Sequence, residues 1–136
     1  MTGEYDLLVW VNATNDDEMY THTMTMRGWT GVTNTRTHAA YNGTVTNWNE
    51  MTNPNGAWIR IQMTDYQQAQ NQLREYRNIC NFASVPGEYD YVAYVTGKTY
   101  AETAEGILNM SEKYHWTTST HVPAYGYLNP KYTNGF

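Results

Sequence analysis

A repeat constrains this chain more than any other feature. Gly3-Glu4-Tyr5-Asp6 returns as Gly87-Glu88-Tyr89-Asp90, 84 positions later. Without a gap, the same offset pairs Val11 with Val95, Glu18 with Glu102, Met26 with Met110 and Thr33 with Thr117. It ends on Ala40-Tyr41 and Ala124-Tyr125. These are ten identities in about 40 positions, spread along the segment, so self-similarity organises the whole reading. Any fold proposed for one copy must suit both.

Each copy reads as strand, helix, strand. In the second, Tyr89 to Val95 is a β-branched and aromatic run suited to a strand. Thr99 and Glu102 have capping-box spacing and open a helix with Ala104, Ile107 and Leu108 on one face. Trp116 to Tyr125 follows as a Thr-rich strand. The first copy offers Leu7 to Val11, a helix start at Asn15 and Glu18, and Val32 to Tyr41. Tyr20 and Met24 face inward in this reading, with Thr23 where the second copy has Ile107.

Between the copies, Asn42 to Gly56 is rich in Asn, Thr and Gly and reads as a linker, with Trp48 and Met51 docking on the fold. Ala57 to Met63 reads as a strand. Thr64 or Asp65 then caps a helix with the stripe Tyr66, Ala69, Leu73 and Tyr76, and Cys80 to Val85 is a further strand. Residues 57–127 thus run βαββαβ, the ferredoxin-like order, while residues 2–42 supply only a βαβ half. The predicted fold is an α+β, ferredoxin-like αβ-sandwich with an additional N-terminal half unit, a linker over 43–56 and a tail over 128–136. A lone half leaves open strand edges. It is expected to be completed by pairing with the intact unit or with another copy, so that sheets pair across subunits.

Composition decides what such a fold is made of and what it avoids. Leu, Ile, Val and Phe number only 19 of 136 residues, yet 13 Tyr and 5 Trp supply apolar area and the net charge is only −5. That combination folds, around a core using Tyr, Trp, Met, Ala and Val. With 8 basic against 13 acidic residues, binding to a phosphate backbone is not expected. No apolar run reaches the roughly 20 residues of a membrane span, and no leader is expected. One cysteine excludes an intrachain disulfide.

The chemistry-bearing residues are few. Glu88 and Asp90, like Glu4 and Asp6, lie two apart and face one side of an extended segment. Set at a turn, such a pair suits gripping a ligand amine better than acid–base catalysis. His22, His38, His115 and His121 lack metal-site spacing, so no metal or other cofactor is expected. Cys80, in an apolar stretch, reads as a small buried residue rather than a nucleophile. The sequons at Asn12, Asn42 and Asn109 are about what 14 Asn give by chance.

The turn and the Thr-rich strand carry a resemblance. Thr2-Gly3-Glu4-Tyr5-Asp6, Pro86-Gly87-Glu88-Tyr89-Asp90, Gly31-Val32-Thr33-Asn34-Thr35-Arg36-Thr37 and, more loosely, Trp116-Thr117-Thr118-Ser119-Thr120 resemble the ligand-binding (RAM) domain of Lrp/AsnC-family regulators. Residues 57–127 match as a whole domain and 2–42 as a half. The resemblance implies a cytoplasmic, oligomeric, non-enzymatic protein that holds an amino acid between subunits. It implies a pocket lined by Gly87, Glu88, Tyr89, Asp90, Thr118 and Thr120, with Gly3, Glu4, Tyr5, Asp6, Thr35 and Thr37 as counterparts. Met1 stands directly before the motif, so a helix-turn-helix is not expected, and His115-Trp116 replaces Gly-Val in the second copy. The expectation is therefore a self-associating RAM-like domain binding a small molecule at a subunit interface, without nucleic acid or membrane partners. The alternative is a structural protein that polymerises into filaments, tubes or rings by exchanging its half unit.

Overall fold

The computed structural model describes residues 7–123. Helix α1 (Asp16–Arg27) comes first, then strands β1 (Tyr41–Val45) and β2 (Ala57–Gln62). Helix α2 (Ala69–Glu75), strands β3 (Ile79–Ser84) and β4 (Tyr91–Val95), helix α3 (Tyr100–Tyr114) and strand β5 (Thr117–His121) follow. The strands form one antiparallel sheet in the order β1-β3-β4-β2-β5. Its four strands β3-β4-β2-β5, with α2 and α3 as crossovers, are the ferredoxin-like βαββαβ unit. β1 extends that sheet at the β3 edge.

Alternation along β2 explains the layering. Ala57, Ile59 and Ile61 are fully buried, whereas Trp58, Arg60 and Gln62 between them are not. One sheet face therefore packs under the helices and the other looks outward. The core joins Ile59, Ile61, Leu73, Ile79, Phe82, Val95, Ile107, Met110 and Trp116, with Ala57, Ala69 and Ala93 filling the narrow places. Trp116 is secured by its indole N–H, which donates to Gln72 Oε1 at 3.1 Å.

Local signals place the helices. Thr99 Oγ1 accepts from Glu102 N at 3.2 Å and Asn15 Oδ1 from Glu18 N at 2.8 Å, so both helices start with a side-chain cap. α1 starts at Asp16 and α3 at Tyr100, the spacing of the repeat. Asp65 caps a short 3-10 turn, Tyr66–Gln68, that leads into α2. The buried face of α3 is Thr103, Ile107 and Met110, so Ala104 and Leu108, expected on that face, are exposed. A stripe on Thr103 is legible only once its hydroxyl is seen donating to Asn55 O at 2.7 Å.

The N-terminal half differs most from its sequence reading. Among its described residues the helix forms, while 7–15 and 28–40 carry no strand. α1 buries no residue, and Tyr20 and Met24, expected inward, are 67% and 44% exposed. Strands need a partner edge; the β3 edge is taken by β1, and residues 7–15 and 28–40 pair with neither β1 nor β5, the strands at the two ends of the sheet. β1 occupies part of the stretch read as linker, because Tyr41 and Val45 find register opposite Ser84 and Asn81.

The rest of the linker is pinned across the outward face. Thr46 N donates to Cys80 O at 2.9 Å, and Tyr94 OH donates to Asn53 O at 2.7 Å. A Cβ on Gly56 would lie 2.4 Å from the Tyr94 ring, which is why this close approach takes glycine. Met51 docks as expected, its sulfur 3.7 Å from Cys80 Sγ. Cys80 is fully buried, and burial, with the nearby Glu50 charge second, pushes its thiol up to about 12. The thiol is expected to react with Ellman's reagent at least about a hundredfold more slowly in the native chain than in denaturant, because the thiolate is the nucleophile. Equal rates would contradict this burial.

Candidate functional site

The Gly87–Asp90 turn joins β3 to β4, and its backbone is held from three sides. Val85 N donates to Asp90 O at 2.9 Å, Asp90 N to Ile61 O at 2.8 Å, and Gln62 Nε2 to Glu88 O at 2.8 Å. Gly87 has φ of +150°, a backbone conformation that favours glycine. Asp90 Oδ2 accepts from Met63 N at 2.7 Å, so this carboxylate fastens the turn to the end of β2. Asp90→Ala is expected to cost about 1–3 kcal/mol, and Asp90→Asn, which keeps an acceptor, clearly less. Urea unfolding midpoints of the two variants test that ranking.

Glu88 is differently placed. Its carboxylate is 56% exposed and pairs only with Arg36 among the described residues, Nη2 to Oε2 at 3.1 Å. Tyr89 next to it lies under a guanidinium, with Arg60 Cζ 4.5 Å from its ring centroid. Arg60 stands beside Ser119 across the β2–β5 pair, and its Nη2 is 3.4 Å from Ser119 Oγ. Ser119 Oγ is in turn 3.4 Å from His121 Nε2. His38 joins the same patch: desolvation, then the positive charges of Arg36 and Arg60, hold its ring below the ordinary histidine value, and Glu88 pulls the other way. Farther along the outward face, Trp10 stacks on Trp58 at 6.2 Å, and Trp58 meets Tyr94 at 5.1 Å.

A shallow cavity of about 220 Å³ lies on the other side of the turn, lined by Tyr66, Ser84, Pro86, Asp90 and Tyr91. Its size suits a small molecule and falls below that of drug-sized pockets. The sequence-predicted residues divide between these places. Asp90 lines the cavity; Glu88 and Tyr89 belong to the outward patch. Thr118 points toward α3, its Oγ1 3.3 Å from Ser111 Oγ, and neither it nor Thr120 lines the cavity. β5 alternates, so the side chains turned toward Arg60 are those of Ser119 and His121 instead. Thr35 lines a separate polar hollow of about 170 Å³ with Arg27, Val32, Thr33 and Asn34, while Thr37 is exposed. Gly3, Glu4, Tyr5 and Asp6 lie outside the described residues. Sequence reasoning missed Arg60, Arg36 and Ser119. The signal was there for Arg60, a lone charge between Ile59 and Ile61 in a strand.

No group of three His, Cys, Asp or Glu placed to hold a metal occurs among the described residues. None of their helices is long and apolar enough to cross a membrane.

Among solved structures, the leucine response regulatory protein LrpA of Mycobacterium tuberculosis superposes with a TM-score of 0.51 at 15% identity. The match covers 82% of this chain and 75% of LrpA. This chain has the LrpA fold. A second transcriptional regulator matches equally, with a TM-score of 0.51, 15% identity and coverage of 83% and 75%. The feast or famine regulatory protein of M. tuberculosis in complex with L-methionine gives 0.49 at 14% identity, covering 82% and 72%. No protein-family model and no curated protein matches the sequence. The Lrp-like fold agrees with the resemblance carried by the Gly-Glu-Tyr-Asp turn and the Thr-rich strand.

Proposed function

We propose that this chain is a non-enzymatic, self-associating RAM-like domain that binds a small molecule, an amino acid in the first instance, at a subunit interface. One observation carries the self-association. α1 buries no residue, and the segment around it leaves Leu7, Val9, Met24 and Trp29 between 44% and 72% exposed. Apolar area of this kind, concentrated in one part of a small chain, marks an interaction surface. The same segment is a half unit with no sheet of its own, so a second copy is the partner that supplies what it lacks.

The ligand reading rests on the Lrp-like fold and on the chemistry of the turn. Asp90 is spent on Met63 N–H, which leaves Glu88 as the carboxylate available to an amine. Its ion pair with Arg36 is solvent-exposed and weak enough to exchange. Thermal melting of the full chain against the twenty amino acids singly tests the reading. A ligand at a hundredfold excess over its Kd adds about 2.7 kcal/mol of stability, a rise in Tm of several degrees. No shift with any of them would overturn the amino-acid reading.

The polymerising alternative has its own observation. β1 and β5 are both sheet edges, and Tyr41 to Gly43 on β1 are exposed. Filaments in negative-stain electron microscopy, with no ligand-dependent melting, would favour it.

A further inference from the structure

On the outward face, Arg60 and Arg36 differ in how their charge is met. Arg36 is neutralised by Glu88, whereas Arg60 has no carboxylate partner among the described residues. Its Nε–H is closed off from solvent and finds no acceptor. Its contacts are the Tyr89 ring and one long approach of Nη2 to Ser119 Oγ. An unpaired guanidinium is costly in a folded chain, and a planar anion that pairs with its accessible Nη groups offsets that cost. Tyr89 supports the guanidinium from its face, and Ser119 adds a hydroxyl that can donate to the same anion. With Arg36, Arg60 and Glu88 together, the patch carries one net positive charge, which matches a monoanion.

We propose that Arg60, with Ser119, forms a carboxylate-binding site on the outward sheet face. This rests on the small-molecule reading and assigns the acid end of that molecule to Arg60. The His38 ring beside it is held below the ordinary histidine value first by desolvation and only then by the charges of Arg36 and Arg60. Glu88 faces the same patch, so a molecule bearing both an amine and a carboxylate meets both of its counter-charges there.

The test is an NMR titration of the full, 15N-labelled chain, following the Arg60 Nε–H and Ser119 amide signals. The probes are acetate, glycine and inorganic phosphate. Acetate and glycine are expected to move the Arg60 Nε–H signal. Arg60→Lys keeps the charge but removes the Nε–H and the planar fork, and is expected to weaken both by about tenfold or more. Ser119→Ala, which cannot disturb the core, provides a milder variant with a smaller loss. An Arg60 signal unmoved by acetate, or moved only by phosphate, would overturn the proposal, as would unchanged acetate binding in folded Arg60→Lys. The two readings separate cleanly. Acetate at Arg60 with no amino acid raising the Tm keeps this site and removes the amino-acid reading. An amino acid that raises the Tm while Arg60 stays unmoved does the reverse.

Discussion

Phe82→Ala is expected to lower the unfolding free energy by about 3–5 kcal/mol and to leave a large fraction of the chain unfolded near body temperature. Phe82 is the largest of the fully buried side chains and sits mid-sheet on β3, opposite Ala93 of β4 and in one core cluster with Ile59. Ala93 opposite it, and Ala57 and Ala69 in the same cluster, are small and cannot swell into the space it leaves. The surrounding backbone is a five-strand ladder, which also resists collapse. Because so few aliphatic residues build this core, one lost ring removes a large share of the burial. A urea series read by circular dichroism checks it: the midpoint should fall sharply at an unchanged slope. A loss under 1 kcal/mol would mean that the core lies elsewhere.

Met24→Glu combined with Trp29→Glu is expected to turn an assembled protein into a monomer while leaving its folded secondary structure by circular dichroism intact. Both side chains are exposed in the single chain, 44% and 56%, so neither change disturbs its packing. Buried against a second copy, each contributes about 1.5–3 kcal/mol, and the introduced carboxylates would also have to be desolvated. Together the changes should weaken association by well over a hundredfold, since each 1.4 kcal/mol is tenfold. Light scattering of wild type and double variant at matched concentration reads this directly. Equal masses would move the interface away from α1.

How much of this was legible in the sequence follows the strength of local signals. The βαββαβ unit could be read because β2 alternates strictly, Thr99 and Asp65 are capping residues, and Pro86-Gly87 marks the turn. The N-terminal strands could not, because a strand is a property of a pair of edges, and residues 7–15 and 28–40 pair with neither edge of the sheet. Tyr20 and Met24 have helical spacing in a helix that touches no core, so periodicity alone gave the wrong side to solvent. The site was half legible. Gly87 and Asp90 do organise the turn as their residue types suggest, yet Asp90 works on the backbone of Met63. Thr118 and Thr120 sit one residue out of phase with the face that carries Arg60. A shift of one residue in a strand moves every side chain to the opposite face. Only the register of β5 against β2 shows that Ser119 and His121 are the ones turned toward the guanidinium.

Sedimentation velocity of the intact chain over a wide dilution series tests most directly the claim that the N-terminal half is completed by a second copy. A species of at least two chains that persists on dilution well into the micromolar range is expected. A single-chain mass at every concentration would contradict it.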